Sequence, residues 1–480
     1  MSVYAEQRGL SRRFRLLQLS FLQQDGLPFA NALPEEEIER VFLEEKDAMF
    51  GKEEGTVYTP HLTLWAFLSQ VLHREEQRAC LAAVSRVIVL LVSLGWEACA
   101  KNSGAYCKAR AKLAEPALHR LVMDVARNCE DQVPEGWLWR GRHVTLCDGC
   151  TFSMPDTDEN QAEYPQPDSQ APGLGFPMMR VVALFSLTTA MLQDLAMGPY
   201  SGKETGETAL LRELLERFPE GQVLLTDRLY CSYFLVALLL KKKCDLVVRL
   251  HGARKVDFSK SKRLGNGDHL VTWERPAKPE WMDQETFEQM PESLELRLVE
   301  VQVNEPGFRT DSFLVVTTLL NPKEYPAEEI GDLYRKRWLV ELDIRAIKVQ
   351  LGMDVLRCKT PAMVRKEIWT CLLAYNLIRK ALLEAALAAD CSPRELSFTN
   401  ALQTIAASLG TLAVVDAETA ERLITAQLAS LAEQRVGNRP NRVEPRATKR
   451  RPKPHALLTM AREEARLLLL QGTDPYEKQK

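Results

Sequence analysis

Tyr334, Arg337, Glu341 and Lys348 recur at helical spacing in residues 333–351, LYRKRWLVELDIRAIKVQL. At 100° per residue they fall within an arc of roughly 100°, and Trp338 and Arg345 fall inside it too. One stripe thus carries a hydroxyl, an indole, two guanidiniums, an ammonium and a single carboxylate. A core-facing stripe would be apolar, and Leu339, Leu342 and Ile347 lie elsewhere around the helix. A carboxylate ringed by cations suits a site that holds a divalent metal beside a phosphate. The same stripe also reads as a solvated face with an Arg337–Glu341 pair, worth about 0.3 kcal/mol.

A hard cation takes several oxygen ligands, so one carboxylate is too few. Two more acids end strand-like runs upstream: Asp148 after HVTLC and Asp227 after VLLT. Both runs are short and apolar and stop at an acid followed by turn-like or polar residues. Ligands gather at the carboxyl ends of strands in α/β sheets. Two strand-end Asp and one helix Glu can meet around a metal pair about 4 Å apart, the arrangement that supports in-line phosphodiester displacement.

The elements that must position these groups follow from pattern. Residues 1–138 read as helical, with apolar positions three and four apart at 14–22, 38–50 and 62–72. Residues 101–112 carry four cations and no acid, and a helix opening near Ser103 would bring Lys108, Arg110 and Lys112 near one end. That helix also reads as an ordinary charged surface. From 139 to 250 strands alternate with helices: strands at 144–147, 181–187, 222–226 and 245–250, helices at 205–218 and 231–242. This order predicts an α/β core. Residues 251–325 are strand-rich, at 270–273, 294–303 and 312–319, and interrupt that core. The core resumes over 326–394, with a buried helix at 364–387. Residues 395–480 are helical again, ending in a helix at 460–470. Their break is a proline-rich basic arm over 435–455, whose composition fits either a phosphate backbone or a solvated linker.

Cys147 and Cys150 form a lone C-x-x-C around Asp148. With no second pair nearby and no helix start, small residues flanking an acid are the favoured reading over zinc or redox chemistry. Asp156, in the polar loop PDTDENQAEYPQPDSQAPGLGF, is a rival metal ligand but more naturally a turn acceptor. The net charge is −3, so nucleic-acid binding must rest on local patches. Eleven Cys with no regular framework and no apolar leader predict reduced thiols in a cytosol. The longest apolar runs, 87–94 and 233–240, are too short to cross a membrane and read as buried helix.

The spelling Y-x2-R-x3-E-x6-K resembles the signature of the transposases of insertion-sequence family 4, cut-and-paste D-D-E enzymes. CDGCTFSMPDTDENQAEYPQP from Cys147, TDRLYCSYF from Thr226 and LGMDVLRCKTP from Leu351 are similar to the same family. The resemblance runs from about Asn102 to Arg379 and returns near Arg450. It implies a ribonuclease-H-like catalytic core interrupted by the β-rich insertion, with helical regions at both ends. It implies that Asp148, Asp227 and Glu341 are the catalytic, metal-holding acids, with two Mg²⁺ (or Mn²⁺) as cofactors. Tyr334, Arg337, Lys348, Arg345 and Trp338 would contact DNA, Trp338 by wedging or merely by packing. Lys108 and Arg110 would bind the element's terminal DNA, and Arg228, Arg450 and Arg451 would add phosphate contacts. In relatives that excise through a DNA hairpin, an Arg and an aromatic hold the flipped strand. Arg249 and Phe313 stand at the matching places, Phe where those relatives have Trp, with Trp273 as the alternative platform. The implied partners are double-stranded DNA, as terminal inverted repeats and target, and a second subunit in a synaptic homodimer. The implied setting is the bacterial cytoplasm, on the nucleoid when DNA is bound. A ribonuclease-H-like nuclease or resolvase that cuts without joining, or an inactive DNA-binding relic, would share much of this pattern.

Overall fold

In a computed structural model of the chain, residues 35–44, 50–51, 56–93, 95–302, 312–412, 415–437 and 460–473 are described. The expected helix at 14–22, Arg450 and Arg451 lie outside them, as does nearly all of the basic arm. Among the described residues five helices come first: α1 Glu35–Glu44, α2 Pro60–Val71, α3 Cys80–Ser93, α4 Gly104–Lys112 and α5 Glu115–Glu130. α2 starts where the Thr59 hydroxyl accepts the Leu62 N–H and Pro60 takes a first-turn position that lacks an intrahelical bond anyway. Every residue of α2 is buried. α3 buries Val84, Val87 and Leu91 but exposes Leu81, Val89 and Val92, so the described part of the apolar run, 87–93, is buried on one side only.

Strands and helices then alternate: β1 Val144–Ser153, α6 Asp158–Glu163, β2 Met178–Ser186, β3 Leu192–Pro199, α7 Glu207–Leu215, β4 Val223–Thr226, α8 Tyr233–Lys241 and β5 Asp245–Arg249. The interrupting stretch supplies β6 Lys262–Gly265, β7 Asp268–Glu274, α9 Gln284–Glu288, β8 Ser293–Gln302 and β9 Ser312–Thr317. After it come α10 Ala327–Arg335, α11 Leu339–Arg345, α12 Pro361–Ala388, α13 Phe398–Leu412, α14 Ala417–Glu433 and α15 Arg462–Leu470. β3 and β6 were not expected. Nor was α6 inside the polar loop, which forms because Thr157 caps its first turn and Asn160 is buried, donating to the Pro155 and Cys358 carbonyls.

All nine strands among the described residues join one mixed sheet, in the order β3-β2-β1-β4-β5-β9-β8-β7-β6. β1, β4 and β5 run parallel; the other pairings are antiparallel. The interrupting strands therefore extend the core sheet, through β9 against β5, rather than standing apart from it. Both faces of the central strands are covered, which is why those strands read as continuous apolar runs. One face carries Leu146, Val181, Leu225 and Val247 against α2, α5 and α12. The other carries Cys147, Val182, Leu224 and Leu246 against α7 and α8.

α12 is the spine. Pro361 sits in its first turn, and it is buried almost continuously from Glu367 to Leu383, against α5, α2, α13 and α14. Two buried ion pairs then fix the framework around the site. Arg297 on β8 is fully buried and donates to both oxygens of Asp268 on β7, at 2.8 and 2.7 Å, and to the Tyr325 carbonyl at 2.6 Å. This ties the added strands to the segment that leads into α10. Asp343 on α11 is equally buried and accepts from Arg379 of α12 at 3.0 Å and from Arg394 at 2.9 Å. Arg394 also donates to the Ser186 carbonyl at the end of β2, at 2.7 Å.

Candidate active site

The register of β1 against β4 brings the first two acids together. Leu146 lies opposite Leu225, which brings Asp148, two residues on in β1, beside Asp227, the residue that follows the end of β4. Side chains alternate along a strand, so both acids share the face of Leu146 and Leu225, the face covered by α12. The Thr226 hydroxyl donates to the Cys147 carbonyl at 3.1 Å and closes the ladder just before the acids diverge. Asp148 is not the end of its strand: β1 runs on to Ser153, paired with β2. It is the end of the parallel ladder, because β4 stops at Thr226. Asp227 then accepts the Leu229 N–H at 2.8 Å and caps the turn Arg228–Tyr230.

The stretch 333–351 is not one uniform α-helix. α10 tightens into a 3₁₀ turn at Lys336–Trp338, α11 follows, and a π turn closes it at Ala346–Gln350. A constant 100° step therefore misplaces the later residues. The tightened turn aims Arg337 across at β1: its guanidinium meets Glu341 Oε1 at 2.6 Å and Asp148 Oδ2 at 3.5 Å. Asp148 and Glu341 thus lie a single guanidinium apart. The π turn sends Lys348 back to the Thr151 carbonyl of β1 at 2.8 Å, with its ammonium 5.6 Å from the Phe152 ring centroid. π turns inside helices are often found at functional sites. Trp338 and Arg345 are exposed on the outer side.

Charge is concentrated here. Burial pushes the Asp148 carboxyl up to about 6; the Gly149 N–H and Arg337 pull it down, while Asp227 and Glu207 add to the rise. Burial pushes the Tyr334 hydroxyl up to about 12, against the pull of Arg337 and Arg249, which leaves it a protonated donor at neutral pH. Arg249, Phe313 and Tyr334 form one cluster. The Arg249 guanidinium lies 5.0 Å from the Phe313 ring centroid, and the Phe313 and Tyr334 rings are 5.3 Å apart. Arg249 ends β5 opposite Val315 of β9, which explains why two residues so distant in sequence meet. Trp273, the alternative platform, is buried under Arg254, whose guanidinium is 3.7 Å from its ring centroid.

Other expected contacts separate. Arg228 is exposed beside Asp227, and Lys108 is exposed on α4. Arg110 departs from an outward phosphate contact: it turns inward and donates to Gln70 Oε1 at 3.1 Å. Asp156 accepts from Gln161 at 2.7 Å, as a turn acceptor does. All eleven Cys are free. Arg435, at the start of the basic arm, pairs with Glu395 at 2.6 Å.

Three residues escaped sequence reading. Glu207, at the start of α7, lies across the sheet from Asp148, packed so closely over Gly149 that a Cβ there would fall 2.2 Å from its carboxyl carbon. Tyr230, buried in the turn after Asp227, donates to Glu207 at 3.1 Å. Asp343 holds α11 from behind. The signal for Asp343 was an acid on the apolar side of a helix; nothing local marked the other two.

The donor set suits a divalent cation: three carboxylates, with Asp148 crowded by Asp227 and Glu207. Among the described residues no three His, Cys, Asp or Glu side chains close on a common point, and Glu341 is turned to Arg337. A positive group already occupies the space between two of the acids.

A family model described as the transposase DDE domain matches residues 139–377. The transposase InsG for insertion sequence element IS4 of Escherichia coli (strain K12) is 28% identical over 357 residues, 72% of this chain and 76% of that one. The putative transposase InsZ of the same strain is 28% identical over 145 residues, 29% of this chain and 46% of that one. A cryo-EM structure of a piggyBac transposase synaptic complex with hairpin DNA is matched over 90% of this chain and 88% of its own, at a TM-score of 0.42 and 11% identity. With the DDE match spanning both aspartates and the Glu341 turn, the chain belongs to the DDE transposases, among the relatives of the IS4 enzyme.

Proposed function

We propose that this DNA transposase cuts and rejoins DNA at the terminal inverted repeats of an insertion sequence, with Asp148, Asp227 and Glu341 as its catalytic acids. The observation that carries the reading is the Arg337 bridge, which joins Glu341 to an Asp148 lying 189 residues before Arg337 and beside Asp227. These three acids would hold divalent ions, Mg²⁺ by the chemistry of an all-oxygen donor set, to polarise the phosphodiester and favour an oxygen nucleophile. Water is the first nucleophile and the freed 3′-hydroxyl the next. Arg337, displaced from the acids, turns its charge to the scissile phosphate, where guanidinium geometry suits two oxygens at once. Tyr334 donates its hydroxyl from the same side. Lys348, Arg345, Trp338, Arg228 and Lys108 are the further DNA contacts we infer, and Arg450 and Arg451 extend them along the basic arm.

The strand order β3-β2-β1-β4-β5, with three antiparallel strands followed by two parallel additions, supports a ribonuclease-H-like core over 139–250 and 326–394, interrupted at 251–325. The Arg249–Phe313–Tyr334 cluster supports excision through a hairpin, with Phe313 as the stacking face for a flipped base and Arg249 for its phosphate. A homodimer would let one subunit bind an end while its partner cuts it.

The test is incubation with DNA carrying the ends of the encoding element and Mg²⁺, for the wild type and for Asp148→Asn, Asp227→Asn and Glu341→Gln. Each variant should still shift the DNA in a gel and lose cutting. Cutting by Glu341→Gln, or by the wild type in excess chelator, sinks the proposal. Cut ends that never join identify a nuclease instead.

A further inference from the structure

Arg110 is mostly buried on α4, yet among the described residues no carboxylate pairs with it. Its guanidinium lies 4.8 Å from the Phe67 ring centroid and donates through Nη1 to Gln70 Oε1, an oxygen that also accepts from Tyr106 at 2.8 Å. Its Nε is buried and has no hydrogen-bond partner. The other groups around it are neutral at neutral pH: burial raises the Tyr106 hydroxyl and the thiols of Cys107 and Cys358. A desolvated cation without a counter-charge costs several kcal/mol.

Arg110 fronts a cavity of about 150 Å³ between the N-terminal helices and the catalytic core, with Gln70, Cys80, Arg78, Arg357 and Glu367 in its wall. Glu367 is already spent. It accepts from Arg78 at 3.2 Å and from the N–H groups of Arg357 and Cys358, both at 2.9 Å. Three arginines therefore line the cavity against one carboxylate: Arg110 is desolvated with no carboxylate partner among the described residues, and Arg357 stands exposed at the rim with none either.

We propose that this cavity is an oxyanion site that takes one phosphate group, held by the free N–H groups of Arg110 and by Arg357. A tetrahedral anion fits the volume, and guanidinium forks match its oxygens. The site has a structural consequence. Arg78 donates to the Gly352 carbonyl at 2.7 Å and Arg74 to the Gln350 carbonyl at 2.6 Å, so the cavity wall caps the end of the stretch that carries Glu341. An anion here locks the N-terminal helices onto that stretch.

The experiment measures thermal unfolding of the full chain in inorganic phosphate and in chloride at equal ionic strength and pH, with calorimetric titration of phosphate. The midpoint should rise with phosphate and saturate at one ion per chain. Arg110→Met should abolish the rise, and Arg357→Gln should weaken binding by at least about tenfold. Equal midpoints in the two salts, or a phosphate response surviving in Arg110→Met, overturn the site. If Arg110→Met does not fold, unchanged phosphate affinity in Arg357→Gln overturns it. Adding a short duplex names the source of the phosphate: displacement of the bound ion identifies the DNA backbone, and retention identifies the free ion.

Discussion

Asp343 accepts from Arg379 at 3.0 Å on the buried side of the same short helix whose outer side presents Glu341 to Arg337. Two acids two residues apart thus serve opposite ends: one anchors α11 to α12 and the other pairs with Arg337 on the outer side. Breaking a buried pair leaves a guanidinium uncompensated, so Asp343→Ala should destabilise the fold by about 3–5 kcal/mol. Urea unfolding measures this. A loss below about 1 kcal/mol would show that Arg394 and Arg379 find other partners.

The Arg297–Asp268 pair predicts a different pattern. Asp268→Ala alone should cost about 3–5 kcal/mol, because Arg297 stays buried in the sheet. Replacing both residues by apolar groups of similar volume should recover most of that loss. A double variant no better than the single one would show that the Tyr325 carbonyl contact, not the pair, is what matters.

Asp148 gives a pH signature in protein kept free of metal by chelator. Its carboxyl lies above its ordinary 3.8, at about 6, so the folded chain holds a proton that the unfolded chain releases. The resulting stabilisation is complete below the ordinary value and is lost as pH rises through about 6. Asp148→Asn cannot ionise. Its stability relative to wild type should therefore improve from pH 4 to pH 8 by roughly 1–3 kcal/mol. A difference that is flat across that window would mean Arg337 fully compensates the charge.

Gly149 tests the packing behind the acids. Gly149→Ala drives a methyl into the Glu207 carboxyl, so it should lower the unfolding midpoint and displace Glu207 from Tyr230. Glu207→Ala in the same chain should restore the midpoint. Failure to restore it would place the strain in the β1 backbone.

Phe313 and Arg249 test the excision route. Phe313→Ala should leave first-strand nicking and lower hairpin formation by about tenfold or more, since stacking is worth about 1–3 kcal/mol per base. Phe313→Trp should keep or raise it. Equal loss of nicking and hairpin in Phe313→Ala would reduce Phe313 to a packing role for Tyr334.

The sequence alone carried what is local. Apolar runs followed by an acid singled out Asp148 and Asp227, helical spacing grouped Arg337 with Glu341, and alternating polarity marked β8. Short elements with weak patterns, such as charged β6 and capped α6, fell below that signal. Tertiary structure decided what depends on register and winding. The β1–β4 alignment sets Asp148, inside its strand, beside Asp227, just past the end of β4. The 3₁₀ and π turns re-aim Arg337 and Lys348 in a way a uniform helix cannot. Arg110 shows the same limit: its charge was legible in the sequence, but whether it faced solvent or a cavity depended on helices that only folding brings together. Residue type sets what a side chain can do, whereas direction and desolvation belong to neighbours far away in the chain.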